Sequence, residues 1–237
     1  MSTYVLIHGA WHGAWCWYKV IPLLEKEGHT VHALDMPGYG RDKTPIPEVN
    51  FEGIVQHVCG FLDNQVEPVI LVGHSWGGTV ISQVAEYQPE KVKLLVYLSA
   101  FLTAGLEFPQ QQQQQLYESK LAKNVIMSED NSYSIINVDG VKEACYHDCL
   151  EEDVTLAKLL LVPHPVASGG SPLTTDDKFG RIPRVYIECL QDNALLPSIQ
   201  KWMYTNVPCK KVISMNTSHS PFFSAPEELA SHLSSLE

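Results

Sequence analysis

Ser75, Asp192 and His219 are the residues of this chain whose types and surroundings could together do covalent chemistry. A serine hydroxyl is a poor nucleophile until a base takes its proton, and an imidazole does this best when a carboxylate fixes its tautomer. Ser75 stands in Gly73-His74-Ser75-Trp76-Gly77, after the apolar run Val69-Ile70-Leu71-Val72 and before a helix-like run over 79–85. That order predicts a strand, a sharp turn and a helix with the serine at the apex. The flanking glycines remove Cβ atoms that would clash as strand and helix approach. Asp192 follows the apolar run 184–189 in a loop, and His219 follows the run 210–213 in another. The order Ser, Asp, His is the one expected when each residue sits past a different strand of a parallel sheet. The competing uses are a turn serine, an aspartate capping the helix that starts near Leu196, and a structural loop histidine. Glu188 is a rival acid, but it lies within its strand. His164 and His232 are less well placed, in an inserted segment and on the closing helix.

Acyl transfer also needs donors for the oxyanion of its transition state. The Trp76 amide, at the start of the helix after Ser75, is one candidate, favoured by the helix dipole. The Ala10 amide is the other. It lies in the loop His8-Gly9-Ala10-Trp11-His12-Gly13 after the first strand, where Gly9 is expected to let the chain turn toward Ser75. Trp11, Phe101 and Phe222 lie near these loops and are candidate substrate-binding residues for an aromatic or alkyl group.

These residues need a frame of strands and helices. Strands are expected at 4–8, 30–34, 69–72, 93–98, 184–189 and 210–213. Helices are expected at 17–27, 51–65, after Ser75, at 196–207 and at 226–236. Alternation of this kind predicts an α/β fold with a mostly parallel, doubly wound sheet and ligands beyond the carboxyl ends of its strands. Residues 101–180 interrupt it, separating two core strands by more than a crossover needs. They are expected to form an inserted cap over a core made of 1–100 and 181–237. The cap holds a glutamine run at 110–115 and a helix at 150–161 that opens on Glu151, Glu152 and Asp153.

With 237 residues, 45% of them hydrophobic and 18% charged, the chain can bury a sizeable core. Its net charge of -11 disfavours a nucleic-acid or anionic-membrane partner. A small-molecule ester is the expected partner, with a homodimer left open. The first residues lack a basic stretch and an apolar core of signal-peptide type, and a cytoplasmic protein is expected. Six scattered cysteines read as buried or idle thiols. Cys145 and Cys149 would share a helix face around His147 and Asp148, but no second ligand pair at zinc spacing follows. No phosphate-binding glycine loop or metal cluster is apparent, so no cofactor is expected.

The first-strand loop through Trp17, the Gly-His-Ser-Trp-Gly elbow, Asp192 with Pro197, and His219 ahead of Pro226-Glu227-Glu228-Leu229 resemble the α/β-hydrolase fold. Within it they look like the branch of plant methyl salicylate and methyl jasmonate esterases, hydroxynitrile lyases and bacterial carboxylesterases that include pyrethroid hydrolases. The resemblance implies a Ser75-Asp192-His219 triad, oxyanion amides from Ala10 and Trp76, and a serine carboxylesterase acting on small apolar or aromatic esters. The lyases carry threonine after the first-strand histidine and lysine after the catalytic histidine. Here these positions are Gly9 and Ser220, so a lyase is disfavoured. Trp76, Tyr39, the cap stretch Tyr146-His147-Asp148-Cys149 and the residues around His219 fit the bacterial branch better than the plant one. The alternatives are a lactonase, cyclase or thioesterase using the same triad, or a receptor-like ligand-binding protein.

Overall fold

The structure, a computed structural model, describes residues 1–236. β1 (Thr3–Ile7), α1 (Val20–Lys26), β2 (Thr30–Leu34), α2 (Phe51–Asp63), β3 (Val69–His74), α3 (Gly77–Tyr87) and β4 (Val92–Leu98) follow in strict alternation. An inserted segment then holds α4 (Gln110–Glu118), β5 (Val125–Met127), β6 (Tyr133–Ile136), α5 (Val141–Cys145), α6 (Glu151–Leu160) and β7 (His164–Pro165). The chain resumes with β8 (Arg184–Cys189), α7 (Pro197–Asn206), β9 (Lys211–Met215), α8 (Pro221–Ser224) and α9 (Pro226–Ser234). Six strands form one sheet in the order β2-β1-β3-β4-β8-β9, every pair parallel.

Side chains alternate across this sheet, so a strand covered on both faces must be apolar at every position. Val5 and Ile7 of β1, with Val69 and Leu71 of β3, pack into one core. That core is completed by Ile54, Val55 and Val58 of α2, Val80 and Val84 of α3, and Ile199 and Met203 of α7. Tyr4 and Leu6, with Ile70 and Val72, face the other core, shared with Val20 and Leu24 of α1 and Leu229 and Leu233 of α9. This double burial is why these strands read as unbroken apolar runs. Local signals set the ends: the Asn50 side chain accepts from the Gly53 amide at 2.8 Å to start α2, and Gly28, at φ 88°, follows α1.

The fold departs from the sequence expectation in its details. The helix expected at 17–27 is shorter, α1 at Val20–Lys26, and follows a 3₁₀ turn at Ala14–Trp17. The inserted segment carries its own antiparallel sheet, β5-β6-β7, whose strands are three, four and two residues long. Strands that short carry no readable alternation. Among the described residues no helix is long and apolar enough to cross a membrane.

Candidate active site

β3 delivers Ser75 at a strained turn. Ser75 has φ 53°, a left-handed backbone that costs a serine energy and persists only where its surroundings enforce it. Its amide donates to the Leu98 carbonyl at 3.3 Å, and its carbonyl accepts from the Gly78 and Phe101 amides at 3.1 and 3.0 Å. The glycines allow this closeness. A Cβ on Gly73 would sit 2.7 Å from the Gly77 carbonyl oxygen, and one on Gly77 would sit 2.8 Å from the His8 carbonyl oxygen.

Asp192 and His219, both buried, meet at the carboxyl ends of β8 and β9. His219 Nδ1 lies 2.7 Å from Asp192 Oδ2, which makes Nδ1 the protonated nitrogen and leaves Nε2 as the basic one. The carboxylate is fully engaged. Oδ1 accepts from the Ala194 and Leu195 amides at 2.7 and 2.8 Å, and Oδ2 accepts from Gln200 Nε2 at 3.2 Å and from the Ser99 hydroxyl. Asp192 therefore fixes its own loop, as a capping residue would, and orients His219 as well. Such dense donation is what a desolvated carboxylate requires.

Ser75 and His219 line one cavity with Gly9, Ala10, Trp11, His12 and His74. No hydrogen bond joins the Ser75 hydroxyl to His219 among the described residues, a contact that commonly tightens only around substrate. The inserted segment supplies Leu121, Ile136, Cys145 and Leu161 to the same cavity. Its volume is about 10 Å³, room for one water-sized group. Trp11 lines this cavity, whereas Phe101 lines a separate, open groove of about 630 Å³ with Thr79, Phe108 and Leu116. Phe222 is buried in the core, edge-on to His74 at 4.9 Å, and is not among the residues lining either space.

The loop after β1 lies against the elbow. A Cβ on Gly9 would meet His74 Nδ1 and Ser75 Cβ at 3.0 Å each, so any larger residue here would push on the elbow. The left-handed residue of the loop is Trp11, at φ 62°. The Ala10 and Trp76 amides take no part in the turn and loop hydrogen bonds around them. The Trp76 indole stacks on Tyr39 with ring centroids 5.5 Å apart and meets His164 edge-on at 5.4 Å.

The sequence and fold are similar to those of known proteins. The profile of the alpha/beta hydrolase family covers residues 4–232. The chain belongs to the α/β-hydrolase family. It is 33% identical to methyl jasmonate esterase 1 of Vitis vinifera, over 98% of this chain and 95% of that one. It is 34% identical to methylesterase 2 of Arabidopsis thaliana, over 97% and 94%. Among solved structures, tomato methylketone synthase I with bound 2-tridecanone superposes with a TM-score of 0.89 at 27% identity, covering 99% and 97% of the two chains. A pyrethroid hydrolase superposes at 0.85 with 27% identity, covering 99% and 96%.

Several residues around the site of this α/β-hydrolase escaped the sequence reading. Ser99, at φ 41° just past β4, donates to Asp192 and lies 3.3 Å from His219 Nδ1. Its one sequence signal is that it directly follows a buried apolar strand, as Ser75 nearly does. His164 comes from the inserted segment and reaches the Tyr39 hydroxyl at 2.6 Å. Burial lowers His8 and His164 to about 4 and His12 to about 3, and holds His74 well below its ordinary value, so these rings are neutral near pH 7. Glu188, the rival acid, is engaged elsewhere, by Tyr204 and Ser214 at 3.1 and 2.7 Å. Cys145 and Cys149 do not share a helix: α5 ends at Cys145 and a turn follows. All six cysteines are unpaired.

Proposed function

We propose that this chain is a serine carboxylic ester hydrolase acting on small apolar or aromatic esters. The observation that carries the reading is the Asp192-oriented His219 facing the same cavity as Ser75 and Ala10. Several of its relatives are named for ester hydrolysis: methyl jasmonate esterase, methylesterase, polyneuridine aldehyde esterase and pyrethroid hydrolase.

Ser75 Oγ attacks the ester carbonyl carbon while His219 Nε2 takes its proton, and Asp192 holds the resulting imidazolium. The carbonyl oxygen becomes an oxyanion, held by the Ala10 and Trp76 amides. These amides are fixed before the reaction and need no reorganisation as charge develops. Collapse of the intermediate expels the alcohol, which takes the proton from His219, and leaves Ser75 acylated. Water, deprotonated by His219, attacks the acyl carbon; collapse breaks the bond from the acyl carbon to Ser75 Oγ, His219 returns the proton to that oxygen, and the acid leaves. In this reading residues 101–180 act as a cap whose apolar side chains Leu121, Ile136 and Leu161 exclude bulk water, and Trp11 contacts the substrate. We place the protein in the cytoplasm, a reading supported by its six unpaired thiols.

The test is full-turnover hydrolysis of short and aromatic p-nitrophenyl esters and of methyl esters of aromatic acids by wild type and Ser75→Ala. The expected loss in the variant is on the order of 10⁴- to 10⁶-fold. Equal rates in the two proteins would sink the mechanism.

A further inference from the structure

Tyr146-His147-Asp148-Cys149 form the turn between α5 and α6, closed by the Cys149 amide donating to the Tyr146 carbonyl at 3.0 Å. The turn reaches three of the four loops that bear the proposed machinery, those of Ala10, Asp192 and His219. The Tyr146 hydroxyl lies 2.5 Å from His12 Nε2, and His12 Nδ1 lies 2.6 Å from the Ala10 carbonyl oxygen. A carbonyl only accepts, so Nδ1 carries the ring proton and Nε2 accepts from Tyr146. Both side chains are buried, so no bulk water stands in for either bond. One residue on, His147 Nε2 donates to the Gln191 carbonyl at 2.9 Å, directly before Asp192. Asp148 Oδ2 accepts the Ser218 amide at 2.8 Å, directly before His219, and the Ser218 hydroxyl donates to the Cys145 carbonyl at 3.1 Å.

We propose that the turn 146–149 is a positioning device that sets the oxyanion, acid and base loops against one another. Tyr146 acts through His12 on the peptide that follows Ala10, and Asp148 acts through Ser218 on His219. The inference rests on the serine-esterase reading above. None of the four residues lines the cavity at Ser75, so their effect on the reaction is indirect. The peptide that Tyr146 holds through His12 leads into Trp11, whose left-handed backbone has to be enforced from outside. Small misplacements of catalytic groups cost large factors in rate, and the oxyanion amides gain their effect from being fixed in advance.

The experiment pairs Tyr146→Phe, which keeps the buried ring and removes only the hydroxyl, with Asp148→Ala and Asp148→Asn. For Tyr146→Phe, kcat on a p-nitrophenyl ester is expected to fall about tenfold with KM within about twofold. Inhibition by a trifluoromethyl ketone, which forms a tetrahedral oxyanion on Ser75, should weaken by a similar factor. Inhibition by the uncharged carboxamide of the same acyl group should stay constant. Asp148→Ala should lose kcat in the same way, and Asp148→Asn, whose side-chain carbonyl can still accept the Ser218 amide, should recover most of it. Unchanged kcat and ketone inhibition in Tyr146→Phe would overturn the proposal. So would equal weakening of both inhibitors, or an Asp148→Asn variant as damaged as Asp148→Ala. If Tyr146→Phe does not fold, the Asp148 pair decides. Full turnover by Ser75→Ala would instead refute the esterase reading, whatever these variants do.

Discussion

Ser99 shows how much of the site rests on single side chains far from the proposed nucleophile in sequence. Its hydroxyl donates to Asp192 Oδ2 beside the bond from His219, and its left-handed backbone marks it as held there. A hydrogen bond to a charged group contributes about 1.5–3 kcal/mol, and about 1.4 kcal/mol is tenfold in rate. Ser99→Ala is therefore expected to lower kcat about tenfold, with KM nearly unchanged, in steady-state ester hydrolysis. A kcat within twofold of wild type would show that Gln200 and the loop amides suffice to hold the carboxylate. That Ser75, Asp192 and His219 come together was legible because each follows a strand in an order that a parallel sheet gathers at one edge. Ser99 and His12 were not, because their partners lie 93 and 134 residues away and leave no local pattern.

At the scale of elements, the site depends on how tightly α3 is drawn against the loop after β4. A Cβ on Gly78 would stand 2.4 Å from the Phe101 carbonyl oxygen and 2.9 Å from Ala100 Cβ, and neither backbone can yield alone. Gly78→Ala is expected to cost about 1–3 kcal/mol of stability, typical of overpacking. It should also lower turnover, because the Phe101 amide that would be pushed away donates to the Ser75 carbonyl. Chemical denaturation and kinetics on the same preparation test this, and an unshifted midpoint would mean that the loop relaxes freely. The core strands were readable because burial on both faces makes them uniformly apolar. In the segment between β4 and β8, α6 was readable from its acidic first turn, and the rest only as an interruption. Its sheet comes from pairings such as Ile126 with Ile135, and its helix α4 is built on glutamines that bury nothing.

For the whole molecule, the buried neutral histidines couple folding to acidity. His8 and His164 titrate near 4 and His12 near 3 when folded, because burial disfavours their charged forms, whereas an exposed imidazole titrates near about 6.5. Between these values the unfolded chain binds more protons than the folded one, so stability is present above about pH 6.5 and is lost as pH falls toward 4. Each ring contributes a slope of up to about 1.4 kcal/mol per pH unit. Thermal melts at constant ionic strength should show a midpoint that is level from pH 8 to 7 and drops steeply from 6 to 5. A flat midpoint across that range would show that these rings are hydrated. The strand order β2-β1-β3-β4-β8-β9 has a consequence for biosynthesis. From β3 onward each new strand joins the same growing edge, so a chain emerging from the ribosome can add them one after another without rearrangement. Ser75 leaves the ribosome more than a hundred residues before His219. On the proposed mechanism, a truncated or stalled chain thus carries its nucleophile with no base, and stays inert toward the esters around it until β9 has docked.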